Sequence, residues 1–223
     1  MTIKAILLDH DGTLVDSEPS HFKMWEKVLK SYGVDLTMDD YKQNYAGVPT
    51  STNAVEMVKN YPSVNVDSSI LEDEKNIATR RFLSSDAFPL MTGAKEVIQY
   101  FKEAGLKIAV VTGAGREGIE ATIKSNGLHD FLSVVVSGDD VENSKPSPDV
   151  YLMAMEQIGV DSSECIAIED TENGSKAAVG ANVPCVAVPN EMSKQHDFSQ
   201  ALGVFDDLGQ AKAWISKNYL AYI

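Results

Sequence analysis

The segment DHDGT at positions 9 to 13 sets two carboxylates one residue apart, directly after the apolar run AILL at 5 to 8. Like charges so close disfavour joint ionisation and raise the proton affinity of one carboxyl. Side chains alternate along extended backbone, so Asp9 and Asp11 share a side while His10 points the other way, away from both. A cation can hold one carboxyl ionised while the other keeps its proton, which gives an ionised nucleophile beside a general acid. Hard oxygen ligands such as Asp9 and Asp170 suit Mg²⁺, which keeps several waters and accepts a substrate phosphate.

These residues need elements to carry them. Further apolar runs occur at 108 to 111 (IAVV), 134 to 136 (VVV), 166 to 168 (IAI) and 183 to 188 (VPCVAV). They are continuous rather than alternating, as in strands of a parallel sheet buried on both faces. Helical patterns lie between them, for example Tyr151, Ala154, Met155 and Ile158, then ENGSKAAVGA, then Leu208, Ala211 and Ile215. The order predicts an α/β fold, a doubly wound parallel sheet with helices on both faces. In such sheets ligands bind beyond the carboxyl ends of the strands. Polar residues gather there: Asp9 and Asp11, Thr112, Ser137 and Asp139, Glu169 and Asp170.

After Thr13 no convincing buried strand follows for about 75 residues. Ser17 and Pro19 read as a helix start, and Phe22, Trp25, Leu29 and Tyr32 form one apolar helical face. Further helices are expected between Met38 and Leu83, separated by GVPTS and NYPSVNVD. Residues 16 to 88 are therefore read as an inserted small α-helical domain, and residues 1 to 15 with 89 to 223 as the sheet domain.

With 33 acidic and 19 basic residues the chain carries a formal charge of -14, a field that repels nucleic acid and anionic membranes. No nucleic acid or membrane partner is expected. A phosphate site must overcome that field locally, with a cation, lysine or backbone N–H groups. The start MTIKAILLDHDG has no signal-peptide pattern, and no stretch reaches the roughly 20 apolar residues of a membrane span, so a cytoplasmic protein is expected. Cys165 and Cys185 lie in apolar runs and are read as reduced, buried hydrophobes.

DHDGT at 9 to 13, Thr112 after a strand, KPSPDVY at 145 to 151 and EDTENGSKAA at 169 to 178 occur together and in order. With them the chain resembles the haloacid dehalogenase superfamily over essentially its whole length, in particular the β-phosphoglucomutase-like capped phosphatases. The resemblance implies a Rossmann-like core, a helical cap at 16 to 88, and a Mg²⁺-dependent phosphatase acting on a small phosphorylated metabolite, a sugar phosphate as best guess, with the protein a monomer or small homo-oligomer. It implies that Asp9 forms an aspartyl phosphate, that Asp11 is the acid/base, and that Thr112 and Lys145 hold the transferring phosphoryl oxygens. Asp9, the Asp11 backbone carbonyl and Asp170 would bind Mg²⁺, with Glu169 as a further ligand or as a residue that supports the ligands. His21, Gly113 and Arg116 are weaker candidates for substrate contact, and Arg80 and Arg81 weaker still.

Where β-phosphoglucomutases carry basic residues around a cap loop, this chain reads Ala46, Gly47, Val48, Pro49, Thr50. Without those cations a two-phosphate intermediate is poorly held, which favours hydrolysis over the alternative, isomerisation. A dehalogenase has no need of Asp11 and Asp170, and a phospho-accepting signalling module has no need of a cap.

Overall fold

In the computed structural model, which describes residues 3–220, the apolar runs form one five-stranded parallel sheet. Its strands are β1 (Ala5–Leu8), β2 (Lys107–Val111), β3 (Val134–Val136), β4 (Cys165–Glu169) and β5 (Cys185–Ala187), in the order β3-β2-β1-β4-β5. The register sets Leu8 level with Val110 on one side and Ile168 on the other. The Asp9 N–H continues the ladder to the Ile168 carbonyl at 3.0 Å. Asp9 and Glu169 thus stand side by side one step beyond the last apolar pair. By alternation they follow Leu7 and Ala167 onto the same face.

Two units divide the chain, one running to Asp16 and resuming at Pro89, the other Ser17–Phe88. Asp16, expected at the start of the insertion, belongs to the sheet unit, where its N–H donates to the Pro89 carbonyl at 2.8 Å. Val15 and Leu90 form an antiparallel bridge beside it. The inserted unit holds α1 (Glu18–Lys30), α2 (Met38–Asn44), α3 (Thr50–Asn60) and α4 (Ser68–Leu83). Trp25 and Leu29 of α1 are buried with Tyr41, Tyr45, Ala54, Met57, Val64 and Leu71, and Phe22 and Tyr32 pack against that core. Thr50 and Ser51, read as separator, open α3 instead, because the fixed φ of Pro49 leads into a helix as readily as into a turn.

In the sheet unit α5 (Ala94–Glu103) packs on β2, α6 (Arg116–Asn126) follows β2, α7 (Asp149–Ile158) covers β2 and β3, and α8 (Glu172–Gly180) covers β4 and β5. The last α-helix, α9 (Leu208–Ile215), packs against α5. Tyr151, Ala154 and Ile158 of α7 and Ala177 and Ala178 of α8 share one core with Ala5, Leu7, Ala109 and Ala167. The alternate residues Ile6, Leu8, Val110 and Ile168 are equally buried, so both sheet faces are covered, as the continuous apolar runs require. Both cysteines are buried and unpaired. Among the described residues no helix is long and apolar enough to cross a membrane.

The first turn of α8 lies hard against the end of β4: a methyl group at Gly174 would sit 1.9 Å from Glu169 Oε2. At an open helical position alanine outperforms glycine by about 1 kcal/mol. Here the sign should reverse. Gly174→Ala is expected to lower the thermal midpoint, and a midpoint equal to or above that of the parent would show that Glu169 can give way.

Candidate active site

Asp9, Glu169 and Asp170 are buried, and one carboxylate oxygen from each lies within 4.8 Å of the others. Lys145 reaches this group from the loop before α7. Its Nζ donates to Asp9 Oδ1 at 2.5 Å, Glu169 Oε1 at 2.7 Å and the Val111 carbonyl at 2.8 Å. Tyr151, one turn into α7, donates its hydroxyl to the same Glu169 oxygen at 2.6 Å and sets its ring 5.2 Å from the lysine nitrogen. Glu169 follows Cys165 and Ala167 onto the face that α7 covers, which is why a tyrosine of that helix reaches it.

Burial pushes the Asp9 carboxyl up to about 7, helped by the charge of Glu169 and opposed by Lys145. Burial also holds Asp170 well above the usual carboxylate range, with Asp9 and Glu169 adding to it. Burial works against the Lys145 charge, but Asp9 and Glu169 outweigh it and leave the amine more basic than a free lysine. Three carboxylates against one ammonium leave two negative charges when all are ionised. Glu169 Oε2 is buried without a hydrogen-bond partner, although its twin oxygen has two. An unpaired buried carboxylate oxygen is costly. A hard divalent cation fits this donor set in charge and in ligand type, with Asp9, Glu169 and Asp170 as the residues that would hold it.

Asp11 lies outside this three-carboxylate group. Its Oδ2 accepts from the Thr112 hydroxyl at 3.4 Å and stands 3.0 Å from His10 Nδ1. His10 therefore does not turn away from both aspartates. The alternation carries Asp9 but not Asp11: the chain bends at His10 and turns through Gly12 at φ +87°, which leaves the imidazole beside the Asp11 carboxylate. Its Nε2 lies 3.0 Å from Thr122 Oγ1, a hydroxyl that gives its own proton to the Gly118 carbonyl. Thr122 thus accepts from Nε2, leaving Nδ1 to face Asp11. Thr112 is buried, and its oxygen also accepts the Ala114 N–H at 3.0 Å.

The weaker candidates have contacts of their own. The Arg116 guanidinium binds Asp140 Oδ2 at 2.5 Å, and its backbone N–H donates to Asp139 Oδ2 at 2.8 Å. Asp139, grouped with the strand-end carboxylates above, thus anchors the first turn of α6 and lies outside the three-carboxylate group. The Gly113 carbonyl accepts the Ser144 hydroxyl at 3.0 Å, and a methyl at Gly138 would lie 2.4 Å from it. His21 belongs to the helical unit, where its Nδ1 is 3.1 Å from the nitrogen of the buried Lys75 and its ring centre 5.0 Å from that of Phe88. Arg80 and Arg81 lie exposed in the last turn of α4. One residue that the motifs did not reach is Asn190, whose Nδ2 donates to Asp170 Oδ2 at 2.8 Å. Its position just past the last apolar run was the available signal, since that too is a strand's carboxyl end.

The chain is similar to known proteins over most of its length. The family described as haloacid dehalogenase-like hydrolase matches residues 6–188. The protein CbbY of Rhodobacter capsulatus is 31% identical over 221 residues, 95% of this chain and 96% of that protein. The fructose-1-phosphate phosphatase YqaB of Escherichia coli is 31% identical over 185 residues, 82% of this chain and 95% of that protein. Among solved structures, CbbY from Rhodobacter sphaeroides in complex with xylulose-(1,5)bisphosphate superposes with a TM-score of 0.78 at 25% identity, over 92% of this chain and 95% of the other. With its parallel sheet, its strand-end carboxylates and a match across most of its length, the chain belongs to the haloacid dehalogenase-like hydrolases, in their phosphatase subgroup.

Proposed function

We propose that the protein hydrolyses a small sugar phosphate through an aspartyl phosphate on Asp9, with Mg²⁺ at Asp9, Glu169 and Asp170. The observation that carries this reading is the contact of Lys145 with both Asp9 and Glu169 beside Asp170. Phosphoryl transfer is catalysed mainly by positioning and by neutralising the phosphoryl oxygens. Lys145, kept charged by its two carboxylates, holds those oxygens and steers the phosphorus toward Asp9. The Thr112 hydroxyl, on the adjacent strand end, is placed to hold another. Asp11, outside the carboxylate cluster, protonates the leaving alcohol and then takes a proton from the water that opens the intermediate. Bound Mg²⁺ supplies the positive charge that lets a phosphate dianion enter so acidic a site.

A sugar phosphate is favoured by the activities for which relatives are named, one a fructose-1-phosphate phosphatase and another a phosphorylated carbohydrates phosphatase from Thermotoga maritima. Hydrolysis is favoured over isomerisation by the loop after α2, which has no cation at Ala46 or Thr50 and whose Gly47 N–H instead donates to the Glu18 carboxylate at 2.9 Å. A screen of sugar phosphates for Mg²⁺-dependent release of inorganic phosphate tests the reading. Asp9→Asn should lower release about 10⁴-fold or more with the fold intact. Asp11→Asn should lose about 10² to 10⁴-fold with alkyl phosphates and much less with nitrophenyl phosphate, whose leaving group needs no proton. Equal losses with the two substrate types would remove Asp11 from the acid role.

The raised proton affinity of Asp9 gives a test in metal-free protein. Unfolded, the group ionises near its ordinary value; folded, it stays protonated up to about 7, so the native state binds more protons between. Stability is then greatest at acid pH and falls as pH rises toward 7. Thermal melts of EDTA-treated protein should follow that slope, Asp9→Asn should flatten it, and Mg²⁺ at about 100 times its dissociation constant should stabilise the parent by about 2.7 kcal/mol. The same slope in Asp9→Asn as in the parent would contradict the assignment.

A further inference from the structure

We infer that Asn190, on the loop after β5, is a positioning residue that fixes the Asp170 carboxylate for the divalent cation. This rests on the cation reading of Asp9, Glu169 and Asp170. Both ends of the Asn190 amide are spoken for. Its Oδ1 accepts the Met192 N–H at 2.8 Å, so the amide has one orientation and its NH₂ must face inward. There Nδ2 donates to Asp170 Oδ2 at 2.8 Å and toward the Gly12 carbonyl at 3.4 Å. The backbone is closed just as tightly: the Asn190 N–H donates to Ser193 Oγ and the Ser193 N–H returns to the Asn190 carbonyl, each at 3.1 Å, with Ser193 buried.

Gly12 makes room for this contact. A methyl group there would lie 2.1 Å from Asp170 Oδ2 and 2.7 Å from Asn190 Nδ2, and the φ of +87° already excludes most side chains. The other Asp170 oxygen accepts from Thr13 Oγ1 at 3.4 Å. Asp170 is thus clamped by two neutral donors, one from the DHDGT turn and one from a distant loop. Neutrality matters: a lysine here would fix the carboxylate equally well but repel the ion. An amide leaves the acceptor oxygen a second lone pair for the metal.

The test is direct metal binding. Mn²⁺ titrated into metal-free protein, with free ion followed by electron paramagnetic resonance, gives a dissociation constant without reference to turnover. Asn190→Ala should raise that constant 10- to 100-fold. Ser193→Ala, which keeps the amide but loosens its backbone, should shift it the same way by less, and decides the matter if Asn190→Ala does not fold. The Mg²⁺ concentration for half-maximal hydrolysis of nitrophenyl phosphate should rise in parallel, with kcat at saturating Mg²⁺ little changed. Mn²⁺ binding that is lost in Asp170→Asn but unchanged in Asn190→Ala would overturn this inference alone. A parent protein that binds no Mn²⁺ would overturn the cation reading and this inference with it.

Discussion

Three carboxylates buried within 4.8 Å of one another are the constraint on which the sheet unit depends. Such a group repels itself in a medium that screens poorly, and it persists only if partners are delivered from several directions. Lys145 arrives from the loop before α7, Tyr151 from α7 itself, Thr13 from the turn after β1, and Asn190 from beyond β5. None could be in place without the register that sets Leu8 level with Ile168. A slip of β1 by one residue would exchange its two faces and move Asp9 away from α7 and from Glu169. The apolar strands are therefore more than a core; they are the ruler that sets the distances between charges.

The parts legible in the sequence were those written in local pattern. Continuous apolar runs gave the strands, and the residues just beyond them gave Asp9, Glu169 and Asp170. Lys145 was recognised through its motif neighbours. The parts not legible depended on contacts between distant segments. The alternation rule pointed His10 away from Asp11 because it assumed extended backbone through Asp11, whereas the chain bends at His10 and turns through Gly12. Asn190 carries no charge and belongs to no motif, and only its place just past the last apolar run sets it apart from other loop asparagines. Nor does the sequence reveal that Asp140 folds back to Arg116.

A second polar rim, around Ser137, Asp139 and Asp140, shows how the same strand-end position can serve structure instead of chemistry. Asp140 accepts the Ser137 N–H at 2.8 Å and its hydroxyl at 2.7 Å, while Asp139 takes the Arg116 N–H. Hydrogen bonds, together with Arg116, hold the Asp140 carboxyl below its usual range despite the opposing effect of partial burial. Asp9 and Asp170 move in the opposite direction. The two rims differ in depth and in donors, so carboxylates of one residue type are kept ionised on one and driven toward protonation on the other.

The pairing of Val15 with Leu90, and of Asp16 with Pro89, places departure and return of the inserted chain at neighbouring backbone atoms. Seen from the sheet, the helical unit occupies the place of a tight turn, whatever its length. Closing a longer loop adds only slowly to the entropy lost on folding, about 0.6 kcal/mol for each doubling. The insertion point is thus a socket: the length of chain between Asp16 and Pro89 can change at small entropic cost while β1 keeps its place in the sheet.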